Sequence, residues 1–533
     1  MMLKQLLLHR FTKAIVFCFS SCVVFAVNSE TVFGAINATQ EYGGATNASS
    51  YDSMGSYNPL ASRASGAGSC VPPSRSSFLP GGNVNTPPLG AYLVPELGLA
   101  EFYTNNIYLA PAGQERSDSA TMISPAISGC TVGSILQANF KYTGEAVKYA
   151  HTPPSNSFFN QVNGDFHAQI VPSHLFLDGQ TTYGQTAINP FQPYSSNNAY
   201  SVLGNRTNIW TSNLSPYWLQ SFGALGLGTL RYTYGRVEYS NSSLYNSTSR
   251  GESFVLTNPS YNTHWTWTLN WSTNTVRYGK LGENIYFDNA YLSLGYQLTH
   301  HLRLLGTEGV EDNYLPNGDI QRYGSNYWDA GFSWQDMRFA FKALWGHRFF
   351  GTSFSLNAQY HVPYMAVGVQ YTETPVVLAT QYSALYNNPL PSTISTSPVP
   401  LNQSIYAGAY LDKRLQANFT YKFSMSTVDL SVYDEHNDYF VSQLGRYRLR
   451  GGTATWSWTL SERSQLAASF QRESVIQDNL APYFWNYGRL SWTYLISPVT
   501  HLSFTVMRQS AQSIYAVERY AADSAILQLN TSF

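Results

Sequence analysis

Apolar and polar residues alternate one for one over long stretches of this chain, the period of a strand with one greasy face and one wet face. Thr453, Thr455, Ser457 and Thr459 alternate with Ala454, Trp456, Trp458 and Leu460. His264, Thr266, Thr268 and Asn270 alternate in the same way with Trp265, Trp267, Leu269 and Trp271. Gln416, Asn418, Thr420 and Lys422 separate Leu415, Ala417, Phe419, Tyr421 and Phe423, and Arg489, Ser491 and Thr493 separate Leu490, Trp492 and Tyr494. In the last segment Ala525, Leu527, Leu529 and Phe533 fall on one face and Ser524, Gln528, Asn530 and Ser532 on the other, with Ile526 the one exception. A helical period of about 3.6 fits none of these segments.

The links between strands supply a second test. Short ones fall at residues 131–133, 172–173, 299–300, 335–336, 424–426, 461–463 and 497–499. Longer polar ones fall at 113–120, 151–161, 187–205, 240–248, 310–323, 374–405 and 435–445, and 346–351 is tight where a long one is due. Short periplasmic turns alternating with longer outer loops are the layout of an outer-membrane barrel. The pattern therefore predicts an all-β fold, a single closed antiparallel transmembrane β-barrel over residues 96–533. Segment counting gives about 22 strands, with about 18 or 20 inside the uncertainty of strand boundaries. An even number puts both barrel ends on the periplasmic side, so the last strand should pair with one starting near Leu97. Phe533, a bare aromatic closing that strand, reads as a signal for the barrel-assembly machinery. A soluble sandwich or propeller is the competing fold. It would turn Trp456, Trp458, Trp265 and Trp267 into a protein core, and a propeller should show a repeat of about 40–50 residues that this sequence lacks.

Composition strengthens the membrane reading. Of 533 residues only 11% are charged, whereas 15% are aromatic; soluble domains carry about 25% charged residues. The polar surface is thus built from Ser, Thr, Asn, Gln and Tyr, which suits strands between a lipid face and an aqueous lumen. A net charge of −1 leaves no basic footprint for nucleic acid. Lys4, His9, Arg10 and Lys13 precede an apolar run that ends at Ala26, so residues 1–26 read as a cleaved signal peptide. A retained anchor is the competing reading, but the run is short of the roughly 20 apolar residues that a spanning helix needs. Residues 27–95, rich in Gly, Ser, Ala, Asn and Pro, read as a mostly disordered periplasmic extension. Cys18 and Cys22 leave with the signal; Cys70 and Cys130 remain, either as a disulfide or as two thiols.

Several segments carry a resemblance. Residues 101–109, 113–118 and 123–129 come first, followed by Gly204, Asn205, Arg206 and Thr207, then Ser215, Pro216 and Tyr217, then residues 230–234 and 311–314. Residues 328–334 and the run Gly346, His347, Arg348, Phe349, Phe350, Gly351 follow in order. Together they resemble the PEP-CTERM system-associated outer-membrane protein family, found near exosortase and exopolysaccharide gene clusters. The resemblance runs from about residue 95 to the end. It implies an outer-membrane barrel serving exopolysaccharide production or export, and it supplies no catalytic residues.

The residues themselves offer few sites. No Gly-x-Ser-x-Gly elbow, phosphate loop or Cys-x-x-Cys appears. Strand parity assigns Asp329, Arg338, Lys342, Asp412, Arg414, Lys422, Asp429 and Arg489 to the lumen, with mixed signs. An exporter of a strongly anionic polymer should show a one-signed constriction, so a neutral or mildly charged glycan, or a plugged lumen, is expected. The extension, tethered through Cys70 and Cys130, and residues 374–405 are the two candidate plugs. His347 and Arg348 are candidates for contact with a sugar, against the alternative that they shape a tight link. The acidic run at residues 434–438, and Glu308, Glu311, Asp312 and Asp319, read as solvated outer loop rather than as a calcium site. His300 and His301 read as a polar periplasmic turn.

The expected protein is therefore not an enzyme and carries no cofactor. Its expected partners are outer-membrane lipid, the assembly machinery and, through the resemblance, exopolysaccharide and periplasmic export components. A non-conducting barrel that docks PEP-CTERM proteins, and an enzyme acting on lipid or glycan, stand as alternatives.

Overall fold

The computed structural model describes residues 90–533, apart from 153–155, 189–196, 201, 203, 242–244, 259–263, 280–283, 318, 378–408, 441–445, 478–481 and 514–518. The segments expected as signal peptide and as extension up to residue 89, with Cys70, lie outside the described residues, as does most of the 374–405 loop.

Twenty-two antiparallel strands, each paired with its sequence neighbours, form one sheet. It closes where β1 (Gly90–Thr104) pairs with β22 (Tyr520–Ser532) from Glu96↔Ser532 to Thr104↔Ser524. β1 starts earlier than the expected boundary at 96. Its first residues, Gly90 to Pro95, pair only with β2 (Asp118–Val132). The Gly and Pro content of this stretch hid a strand that its neighbour nevertheless holds in register. The Phe533 amide donates to the Pro95 carbonyl at 2.9 Å, fixing both ends of the sheet at one rim, called here the terminal end.

The short links lie at that end, as expected: residues 133–135, 172–174, 298–301, 336–338, 423–425, 462–463 and 498–499. At the opposite, far end the picture changes. The 310–323 segment is not a loop: β11 (Leu302–Asn317) and β12 (Asp319–Gln335) run through it as paired strands. The 434–438 acidic run likewise lies inside β17 (Ser426–Tyr439). Polar and charged residues on both faces, as at Glu311 and Asp312 or at Asp434 and Glu435, gave these stretches a loop-like composition, but they are strand extensions. The link at 346–351 is tight: β13 (Phe339–Arg348) turns through Phe349 and Phe350 into β14 (Gly351–Val362), and Gly351 takes a φ of 112°.

Side-chain direction follows the alternation. Trp265, Trp456 and Trp458 are exposed on the outer face, as are Leu430, Val432, Leu490 and Leu527. The outward apolar set on β16 (Ala409–Lys422) runs from Leu415 to Phe423 just past its end. That is about 26 Å of strand at a rise of about 3.3 Å per residue. Aromatics crowd its lower edge near the terminal end, among them Trp218, Trp334, Tyr364, Phe423 and Tyr494.

Toward the far end the two faces exchange character. On β18 (Arg446–Ser461) the outer positions pass from Leu460, Trp458, Trp456 and Ala454 to Arg450, Arg448 and Arg446. The inner positions pass from Thr459, Ser457 and Thr455 to Leu449, which is fully buried. Ile526, the exception in the last strand, belongs to this inner apolar zone and is buried. It packs in a cluster with Phe102, Met122, Val147, Trp485 and Tyr200. A second inner cluster joins Val276, Tyr278, Ile285, Leu315, Val377 and Ala409, with Phe349 and Phe440 packed against it.

Candidate functional site: the inner wall of the barrel

The terminal half of the inner wall is lined by hydroxyls, amides and charges, many of them hydrogen-bonded to one another. Lys141 on β3 (Leu136–Tyr149) donates to Glu96 at 2.7 Å, and Ser128 also donates to that carboxylate. Thr420 donates to Asp429 at 2.7 Å, and the hydroxyls of Ser491 and Thr505 meet at 2.9 Å. Pairing of this kind is what buried polar groups require, and among the described residues it leaves no ring of one sign.

One inner cluster is more elaborate. Asp178 on β5 (Leu175–Ala187) lies 2.7 Å from His167 Nδ1 and accepts from Arg231 Nη1 at 3.0 Å. Arg231 also donates to Ser215 and stands 4.0 Å above the Tyr217 ring, which stacks on Phe176 at 5.0 Å. The carboxylate is thus shared by an imidazole nitrogen and a guanidinium, and the guanidinium faces an aromatic quadrupole. Ser215, Tyr217 and Arg231 fall in segments that carried the family resemblance, yet nothing in their spacing showed that they meet on one wall.

Of the residues assigned to the lumen, Asp329, Lys342, Asp412, Arg414, Lys422, Asp429 and Arg489 take inner-face positions. Arg338 does not. It lies exposed in the turn at 336–338, just before β13 begins at Phe339, and its amide donates to Asp336, so strand parity does not carry into this position. Arg414 Nη1 donates to Glu435 at 3.2 Å and sits 5.2 Å from the Tyr433 ring; the Tyr433 hydroxyl donates to Glu473. Asp329 accepts from the Tyr327 hydroxyl at 2.5 Å.

His347 and Arg348, considered together as a sugar contact, point to opposite faces. His347 is exposed on the outer side, opposite Trp328 in register. Arg348 turns inward, donates through Nε to Glu311 at 2.7 Å, and lies between the rings of Tyr327 and Phe350. Glu311 also accepts the Phe349 amide at 3.2 Å. The motif therefore pins the tight link to β11. Adjacent residues on a strand cannot share a face, so the pair cannot grip one ligand. His301 sits in its expected turn, 2.9 Å from the Gln335 carbonyl and stacked on Trp334.

The main feature that sequence reasoning missed is a loop that turns inward. The link between β5 and β6 (Arg206–Ser221) carries a 3₁₀ turn, Asn198–Tyr200, whose residues are all buried. The Tyr200 hydroxyl meets Thr104 Oγ1 at 3.0 Å and Ser524 Oγ at 2.5 Å, on the two strands that close the barrel. Its ring packs edge-on against Phe102 at 5.3 Å, and the Ala199 carbonyl accepts the Tyr149 hydroxyl at 2.8 Å. Burial pushes the Tyr200 hydroxyl up to about 12. A tyrosine in a run of Asn, Ser and Pro was the available signal.

Cys130 takes an inner-face position on β2 near the terminal end and is disulfide-bonded; Cys70, its expected partner, lies outside the described residues. Among the described residues no group of three or more His, Cys, Asp or Glu is placed to hold a metal ion.

This geometry defines a closed antiparallel β-barrel of 22 strands among the described residues. No protein-family model and no curated protein matches the chain. Solved structures do. The siderophore receptor PirA from Pseudomonas aeruginosa is 11% identical, with 84% of this chain and 81% of that one covered and a TM-score of 0.42. The FrpB iron transporter from Neisseria meningitidis is 10% identical over 84% and 83%, with a TM-score of 0.49. The ferric-catecholate import receptor Fiu from E. coli K12 is 8% identical over 83% and 82%, with a TM-score of 0.46. Likeness of this degree says nothing about what this chain carries.

Proposed function

We propose that the chain is an outer-membrane channel, without enzymatic activity, that gives passage to an uncharged, hydroxyl-rich polymer. Exopolysaccharide is the cargo implied by its family resemblance. The membrane part of this reading is supported by the outer apolar band of β16 to β18, bounded by aromatics below and arginines above. The observation that carries the cargo part is the inner wall of the terminal half. Its charges are mixed in sign, some of them in ion pairs such as Glu96 with Lys141 and Asp178 with Arg231 and others hydrogen-bonded to neutral groups, as Asp429 is to Thr420, among Ser, Thr, Asn and Gln. Such a wall exchanges hydrogen bonds with sugar hydroxyls and holds no strong field against or for an ion. The short terminal-end turns then face the periplasm and the far end faces the cell exterior.

Conductance of the purified protein in planar bilayers tests this directly. Open-channel current reduced by a neutral oligosaccharide, and not by a polyanion of equal length, is the expected result. Because β1 starts at Gly90, a deletion that removes the extension without damaging the barrel must stop at residue 89. No current from either the full chain or that deletion overturns the channel reading. It would favour a non-conducting barrel that docks PEP-CTERM proteins, a second reading that draws on the apolar clusters filling the inner far end.

A further inference from the structure

We infer that the outer wall of β15 (Met365–Val377) to β19 (Ser464–Gln477), just above the apolar band, is a binding site for a phosphate-bearing lipid headgroup of the surrounding bilayer. The inference rests on the membrane reading above. Among the described residues Lys413, Arg446, Arg448, Arg450 and Arg472 stand on this outer surface against Asp434, Asp438 and Glu373, so five cations meet three carboxylates there, two positive charges in excess. The carboxylates are shared out. Asp434 accepts from Arg448 at 2.9 and 2.6 Å and from Arg450 at 3.2 Å, with His436 3.3 Å away. Asp438 serves both Lys413 at 3.1 Å and Arg446 at 3.4 Å. Glu373 accepts the Tyr371 hydroxyl and the Phe354 amide.

One carboxylate cannot neutralise two guanidinium groups. The arginine side chains stay open to solvent, 50% exposed for Arg450 and 80% for Arg446. The opposite wall makes the contrast. On the outer face of β8 (Ser247–Thr257) to β12, among the described residues, Arg250, Arg277 and Arg322 face Glu252, Asp288, Glu308 and Asp312, one negative charge in excess. The cationic excess is therefore local in a chain whose net charge is −1.

Position selects the ligand. Arg450 pairs with Asp434 in register, one outward step above Val432 and Gly452, where the apolar surface ends. A ligand that reaches these arginines with acyl chains against Leu415, Val432 and Phe470 must be anionic at its head and apolar below it. Planar guanidinium forks suit phosphate oxygens, so a glycolipid with phosphates on its sugar headgroup fits better than a zwitterionic phospholipid.

The test uses full-length protein in detergent, titrated with diphosphoryl lipid A, phosphatidylcholine or inorganic phosphate, and read by native mass spectrometry. Diphosphoryl lipid A should bind at least tenfold more tightly than phosphatidylcholine. The triple variant Arg446→Gln, Arg448→Gln, Arg450→Gln should lose that preference by about ten- to a hundredfold, and Arg450→Gln alone by a smaller factor. The matched triple variant Arg250→Gln, Arg277→Gln, Arg322→Gln should keep it. Equal lipid binding by the two triple variants overturns the site. Competition by inorganic phosphate at equal concentration also overturns it, in favour of a small-anion site. Incorporation of the wild type into phosphatidylcholine vesicles separates failure of the lipid site from failure of the membrane reading itself.

Discussion

The two halves of the barrel wall use the same period of two and put opposite chemistry on its faces. In the terminal half, Trp456 and Trp458 look outward from β18 while Thr455, Ser457 and Thr459 look inward. In the far half of the same strand, Arg446, Arg448 and Arg450 look outward and Leu449 looks inward with no exposed surface. β20 (Tyr483–Ser497) repeats the exchange: Leu490, Trp492 and Tyr494 face out below, whereas Tyr483, Trp485 and Tyr487 face in above. A strand thus reports the level at which its surroundings change. Below that level the apolar face looks out of the barrel, the side that the proposed function gives to lipid. Above it the apolar face needs protein, and the loop carrying Tyr200 supplies part of that cover.

The sharpest way to break this comparison is to empty the far half. Tyr200→Ala removes a buried aromatic and should cost about 3–5 kcal/mol, measured as a lower urea midpoint of the folded protein in detergent, with larger single-channel current. Next, a charge placed in the outer band should cost what the same charge does not cost above it. Leu430→Arg should destabilise by about 2–4 kcal/mol in vesicles, whereas His436→Arg, three outward positions higher on β17, should stay within about 0.5 kcal/mol. Neighbours on β22 give a finer contrast. Ile526→Ala, facing the inner cluster, should cost about 2–4 kcal/mol, and Leu527→Ala, half exposed on the outer side, about 0.5 kcal/mol or less. The smallest effect is that of pH on the Tyr200 contact. Its folded hydroxyl titrates higher than a free tyrosine, so the docked state is fully favoured below about pH 10. That stability should be lost as pH rises through about 12, the value set by burial. Current rising over that range in the wild type and not in Tyr200→Phe is the expected readout.

The strand order, the strand count and the closure of the last strand onto the first were legible because each rests on local alternation and on link length. The boundary at Gly90 was not, since Gly90 and Pro95 break the apolar rhythm while β2 still holds the register. Residues 310–323 and 434–438 were misread for one physical reason: adjacent polar and charged residues, one on each face, look like loop until one knows that the strand has left its apolar outer zone. Ile526 held the clue to the exchange of faces, and a single exception could not be told from noise. The meeting of Tyr200 with Thr104 and Ser524 joins residues far apart in the chain, and no spacing rule reaches that far. The lumen charges were mostly placed by parity, but their partners, such as Glu435 for Arg414 and Glu311 for Arg348, depend on register between strands.

Tyr200 also bears on the order in which the ring is made. Every strand pair but one joins sequence neighbours, so the sheet can grow hairpin by hairpin with short searches. Only β1 with β22 must find each other across the whole chain. Tyr200 bonds to both of those strands from a third place, the β5–β6 link, and can do so only once they lie side by side. It is a latch set after the last zip is drawn. Contacts formed that late slow unfolding more than they speed folding, and cutting this one should let the finished ring open sooner at the seam.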